Sequence, residues 1–282
     1  MMQKNEDTLL KFWFAYHAHL LGESNIYIFD NGSTDPSVLS ALDQIELKGG
    51  NIIREYDQPE DFCNKGLVLL SHIDELRNAG YKIFIPMDCD EFLAIETPDG
   101  PSINPNDIRE QLAQCAHHQA AQISLSYLND PYQPNMFRRT PFKKVYGTFR
   151  GIDWLGEGFH HVRAPMAQSE ICYFHYHYRP YREFRSKTAA KILAHGQGLS
   201  EEELLSYAES KLNGHQNAGE LLISREQYVE SFDNPAYQKW PALTNWFREN
   251  LGSVPFEPTL NDTPLDEELD DTQSPTSGNS WS

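Results

Sequence analysis

Short apolar runs ending on acidic residues alternate along this chain with stretches of helical periodicity, and that rhythm narrows the folds open to it. Leu9, Leu10, Trp13, Phe14, His17 and Leu21 recur at spacings of three and four, which predicts a helix over 7–21 stopped by Gly22. Asn25-Ile-Tyr-Ile-Phe-Asp30 reads as a buried strand. Asp35-Pro36 supplies an N-cap and a proline at the first helical position, so a second helix starts there and ends near Gly49-Gly50. Strand 51–55, helix 62–78, strand 81–88, helix 105–118 and strand 121–128 continue the series. The pattern predicts an α/β fold with a mostly parallel sheet and helices on both faces. Ligands in such sheets bind beyond the carboxyl ends of the strands. Two acidic clusters fall at those ends, Asp30-Asn31 and Asp88-Cys89-Asp90-Glu91.

Residues 131–170 are rich in Pro, Gly and aromatics and read as loops and short strands. A strand over 169–178, a basic helix over 179–195 and helices over 200–213 and 236–251 follow. This divides the chain into an α/β unit (1–195), a helical extension packed on it (196–254) and a disordered acidic tail (255–282). The tail's 26 residues from Glu257 onward hold seven acids and no Lys or Arg, leaving −11 on the rest of a −18 chain. A body that acidic is a poor general partner for nucleic acid or anionic lipid. The four cysteines stand far apart without a C-x-x-C pair, against a zinc ribbon or a dense disulfide framework. No apolar run approaches the ~20 residues of a membrane span, and MMQKNED is no signal peptide, so a soluble cytoplasmic protein is expected.

Asp88-x-Asp90 after an apolar strand sets two hard oxygen ligands on one side of the turn, a pattern suited to Mg²⁺ or Mn²⁺. A solvated acidic turn is the plain alternative. His175-x-His177 points both imidazoles to one strand face. With Asp90 they form a candidate ion site; without it they are half-buried histidines with ordinary partners. His160 and His161 alternate faces, so one at most joins the site.

Lys4-Asn5-Glu6, Phe12-x-Phe14-Ala-Tyr16-His17, Ile28-Phe-Asp30-Asn31-Gly-Ser-Thr-Asp35 and Pro86-Met-Asp88-Cys-Asp90-Glu91-Phe-Leu93 come in this order. Together, over about residues 4–190, they resemble the glycosyltransferase family 2-like proteins with a GT-A (Rossmann-like) fold, close to the DUF23 / family 92 glycosyltransferases. His177-Tyr178 with Phe184 and Lys187 fits the same pattern. The resemblance implies a Mn²⁺- or Mg²⁺-dependent transfer of a sugar from a nucleotide-sugar donor, UDP-sugar favoured. The acceptor is a saccharide or lipid-linked saccharide. It implies Asp30 and Asn31 near the nucleoside, Asp88 at the ribose or metal, Asp90 and His177 at the metal, and Lys187 in the donor site. A GT-A sheet begins with an apolar strand ahead of the Lys4 segment; only Met1-Met2-Gln3 stand there, and the reading frame is expected to extend upstream.

Inverting transfer needs a carboxylate base. Glu157, between Gly156 and Gly158, is the first candidate, Asp153 the second and Asp130 the third, with Trp154 as a sugar platform. Arg179, Arg182 and Arg185 are available to a diphosphate or form a solvated basic face. The Trp240–Phe247 segment is a possible lipid contact or, more commonly, core. Three other readings stay open. A sugar nucleotidyltransferase shares the metal logic, but its Gly-rich basic N-terminal loop is absent. A metallohydrolase would use His175 and His177. A non-catalytic glycan-binding scaffold would keep the fold alone.

Overall fold

The computed structural model describes residues 1–156, 158–194, 196–212 and 214–257. The chain opens with β1 (Met2–Gln3) and the helix α1 (Leu10–Leu21), whose end is set by Gly22 at φ 87°. That left-handed backbone angle suits glycine. β2 (Tyr27–Asp30) leads to α2 (Pro36–Leu47), where the Asp35 carboxylate accepts from the Ser37 and Val38 amides as the Asp-Pro pair predicts. β3 (Asn51–Ile53), α3 (Pro59–Cys63) and α4 (Lys65–Asn78) complete this half. β1, β2 and β3 form a three-stranded, wholly parallel sheet in the order β1-β2-β3.

The second half departs from the expected parallel sheet. It contains β4 (Glu91–Thr97), β5 (Gly100–Ser102), α5 (Pro105–Gln114), β6 (Ala120–Ile123), β7 (Leu125–Asn129), β8 (Met136–Thr140), β9 (Lys144–Tyr146), β10 (Met166–Gln168) and β11 (Ile171–His175). Six strands form one sheet in the order β12-β8-β7-β11-β4-β5, where β12 (Tyr237–Lys239) comes from the far end of the chain. Within it only β7 and β11 run parallel; every other neighbour pair is antiparallel. β10, β6 and β9 make a third, mixed sheet. The fold is α/β with mixed sheets. Short connections explain two of the antiparallel pairs: β4 to β5 and β7 to β8 are hairpins, too close in sequence for a parallel crossover. The single strand expected over 121–128 breaks at Ser124 into β6 and β7, which join different sheets.

The expected strand 81–88 is also corrected. Among the described residues only Phe84 pairs, in a single bridge to Gly147, and one bridge is not the ladder a strand needs.

One face of the six-stranded sheet packs on α1 and α10 (Ala242–Leu251), the last helix. Tyr16, Phe92, Tyr176 and Phe247 meet edge to face there, and the Tyr16 hydroxyl donates to the Leu93 carbonyl at 2.5 Å. Trp240 covers Gly100 and Tyr127, and Trp246 packs on Tyr16, so the 240–247 segment is core. Helices α6 (Tyr181–Ala194), α7 (Glu201–Glu209), α8 (His215–Leu221) and α9 (Arg225–Glu230) form a helical cap with small apolar centres around Ile192 and Tyr228. Of the tail, only residues up to 257 are described. No described helix is long and apolar enough to cross a membrane.

Candidate metal centre

The turn Asp88-Cys89-Asp90 leads directly into β4, and β11 runs antiparallel beside it with His175 opposite Glu91. The Tyr176 amide donates to the Asp90 carbonyl at 2.7 Å, so the end of β11 is stapled to the acidic turn. Two residues beyond His175, His177 returns to the same side. One donor atom from each of Asp90, His175 and His177 lies within 4.8 Å of the others. His175 Nε2 is 3.5 Å from Asp90 Oδ2, and the two imidazole centroids are 5.0 Å apart. His175 is buried, whereas His177 stands on the open side.

Two observations show that these residues fit a divalent ion. Asp90 Oδ1 and His175 Nδ1 are buried without a hydrogen-bond partner among the described residues, which is costly unless something else satisfies them. Two imidazoles and one carboxylate are also a donor set for Zn²⁺, Fe²⁺ or Mn²⁺ more than for Mg²⁺. Burial opposes charge on both Asp90 and His175, but each stabilises the other's ion. Asp90 is held well below the carboxylate range, and His175 is raised. Desolvation in the cleft, then the neighbouring His175 charge, pushes His177 down to about 4, although part of its ring is exposed.

Asp88 is placed differently. Its carboxylate accepts from Lys65 Nζ at 2.8 Å and Lys144 Nζ at 2.5 Å. Lys144, buried on β9, also lies 3.1 Å from Glu91, and Glu91 in turn accepts from the Asp88 amide at 2.9 Å. Burial raises Asp88's pKa, but the two lysines outweigh it and hold the group far below its usual range. Glu91 is pushed up to about 7, chiefly by burial. The acidic strand end therefore splits into two sites: Asp90 faces the histidines, and Asp88 is locked into a lysine–carboxylate cluster. Glu91 belongs to the acidic strand end the sequence singled out, but Lys65 and Lys144 gave no signal there, Lys144 sitting in an ordinary Lys-Lys-Val-Tyr run.

The other predicted residues scatter. Asp30 accepts from Gln3 Nε2 at 2.6 Å and Ser33 Oγ at 2.5 Å, fixing the turn after β2. Asn31 donates to the Tyr56 and Gln58 carbonyls. Lys187 donates to the Asn5 carbonyl and lies 3.5 Å from Asp7. Buried Arg179 pairs with Glu6 at 2.7 Å and with Glu183. Arg182 and Arg185 are exposed. Asp130 caps its own turn through the Tyr132 and Gln133 amides. Asp153 is exposed and has no hydrogen bond or ion pair among the described residues, and the Trp154 ring is covered by Arg163 at 5.3 Å. His160 binds the Lys143 carbonyl, and His161 is exposed. Glu157 lies outside the described residues. All four cysteines are free.

The chain matches no known family model and no curated protein sequence.

Proposed function

We propose that this protein is a divalent-metal-dependent glycosyltransferase that moves a sugar from a nucleotide-sugar donor, UDP-sugar first, to a saccharide acceptor in glycan assembly. The observation that carries the reading is the convergence of Asp90, His175 and His177 at one end of the sheet, with a buried carboxylate oxygen unsatisfied. The motif resemblance supports it and gives the GT-A reading of the parallel β1-β2-β3 half. Asp90, His175 and His177 would hold the ion, with Mn²⁺ preferred over Mg²⁺ by the imidazole donors. When bound, such an ion neutralises charge on a diphosphate leaving group. Asp88 acts here as a positioning residue: with Lys65 and Lys144 it fixes the turn that presents Asp90. His177, on the open side, is the ligand next to an entering donor.

A metallohydrolase is the second reading. It is favoured by the commitment of Asp88 to two lysines, which leaves a histidine-rich set of the kind that binds a catalytic zinc.

A thermal-shift screen separates them, using UDP, GDP, CMP and ADP, each with Mn²⁺, Mg²⁺, Zn²⁺ or EDTA. A ligand at 100 times its Kd adds about 2.7 kcal/mol. Stabilisation by one nucleotide only in the presence of metal supports the transferase. Stabilisation by Zn²⁺ with no nucleotide preference supports the hydrolase. No response to any metal rejects both.

A further inference from the structure

Past His175 the chain parts from β7, and the residues that follow are tied down one after another. The Tyr176 amide donates to the Asp90 carbonyl at 2.7 Å, on the β4 side. Tyr178 is held on the β7 side: its amide donates to Asn129 Oδ1 at 2.9 Å, and its carbonyl accepts from Asn129 Nδ2 at 2.8 Å. The Arg179 carbonyl accepts from the buried Tyr228 hydroxyl at 2.8 Å, and the Arg179 guanidinium pairs with Glu6. His177, in the middle, makes no hydrogen bond among the described residues. Its ring is bordered by those of His175 and Tyr178, with centroids at 5.0 and 4.9 Å. Its place is therefore set by what holds its two neighbours.

Asn129 is the last residue of β7, and the backbone ladder between β7 and β11 has already ended one residue earlier, at the pair His175 and Leu128. A carboxamide carries the same donor and acceptor as a peptide group. The Asn129 side chain thus adds one more link to the ladder after the two backbones have separated. The pairing also fixes which way the amide lies, because the Tyr178 N–H needs the oxygen and the Tyr178 carbonyl needs the NH₂. Asn129 is 1% exposed, so water does not stand in for either bond. With both polar atoms bonded to Tyr178, this side chain acts on the metal centre through the backbone and not as a ligand.

We propose that Asn129 is a positioning residue of the metal centre. It pins Tyr178 while the Asp90 carbonyl pins Tyr176, and this bracket keeps the His177 imidazole against Asp90 and His175. The need is physical: a ligand on an unpaired chain end loses backbone freedom when it binds an ion, and a chain already held has less to lose. Asp90 enters twice, its carboxylate toward the ion and its carbonyl toward the strand that delivers the second imidazole. The inference rests on the reading of Asp90, His175 and His177 as metal ligands.

Mn²⁺ alone is the probe, with affinity from isothermal titration and pulsed EPR to count the imidazoles on the bound ion. The wild-type chain should show two imidazoles. Asn129→Ala should bind Mn²⁺ about 10–100-fold more weakly and show one, as His177→Ala does. Asn129→Asp keeps the acceptor for the Tyr178 amide and loses the donor to its carbonyl, so its affinity should fall between; it carries the test should the alanine chain not fold. Tyr16→Phe, which removes a buried hydrogen bond to Leu93 on the opposite face of the sheet, controls for lost stability and should keep both imidazoles. Two imidazoles and unchanged affinity in the Asn129 variants overturn the positioning role and leave the metal centre standing. Equal weakening in Tyr16→Phe overturns it as well, since stability alone would then explain the loss. A wild-type chain that binds Mn²⁺ without either imidazole overturns the metal reading, and the role of Asn129 with it.

Discussion

Replacing Lys144 by methionine removes the charge that two carboxylates share while keeping most of the side chain's apolar stem. Lys144 and Glu91 are 2% and 1% exposed at the side chain, and Asp88 is 32% exposed but gripped from both sides. Removing one partner of a buried ion pair leaves an uncompensated charge and costs about 3–5 kcal/mol. The loss should depend on pH. In the native protein Glu91 is raised from 4.5 to about 7, so the folded state binds a proton that the unfolded state releases, and its contribution fades as pH rises from 4.5 to 7. Without Lys144, which pulls that value down, Glu91 stays protonated to higher pH and the decline continues beyond 7. Urea denaturation of Lys144→Met between pH 5.5 and 8.5 should therefore show a cost that grows with pH. Adding Glu91→Gln removes the orphaned acid and should restore about 1–3 kcal/mol, read as a coupling energy in the double-mutant cycle. A loss under about 1 kcal/mol, flat in pH and additive with Glu91→Gln, would refute the view that this cluster is a tightly coupled buried network.

Two further outcomes follow from the geometry. His17 is buried and neutral: its Nδ1 lies 2.9 Å from the Trp13 carbonyl and its Nε2 accepts from the Leu93 amide, and burial pushes it down to about 3. Between pH 6.5 and 3 the unfolded chain binds this proton and the folded one does not, so stability is full above 6.5 and falls by roughly 2 kcal/mol by pH 5; His17→Gln should flatten that part of the urea midpoint-versus-pH curve. For the metal centre, Asp90→Asn and His175→Ala should each abolish stabilisation by Mn²⁺ or Zn²⁺, whereas Asp88→Asn should lower the melting point of the metal-free protein and keep a metal response. A metal response lost in Asp88→Asn and kept in Asp90→Asn would invert the assignment.

Local chemistry was legible in the sequence wherever a few adjacent residues decide the outcome. Gly22 ends α1, Asp35-Pro36 starts α2, and His175 and His177 share a face because strand geometry has a period of two. The α/β class followed from the same local periods. What adjacent residues do not encode is which strand lies beside which. The run 121–128 reads as one strand, yet it divides between two sheets, and the sheet that carries the metal centre is mostly antiparallel, through two short hairpins and two pairings of strands distant in sequence. The run 81–88 has the composition of a strand, but a strand is a relation between chain segments, and among the described residues this one makes a single bridge, Phe84 to Gly147. Asp88 and Asp90 look equivalent on paper. Only the arrival of Lys65 from α4 and Lys144 from β9, 23 and 56 residues away, commits one to an ion-pair cluster and leaves the other to the histidines. Electrostatic partnership over such separations is set by packing, and that is why the tertiary structure alone tells the two aspartates apart.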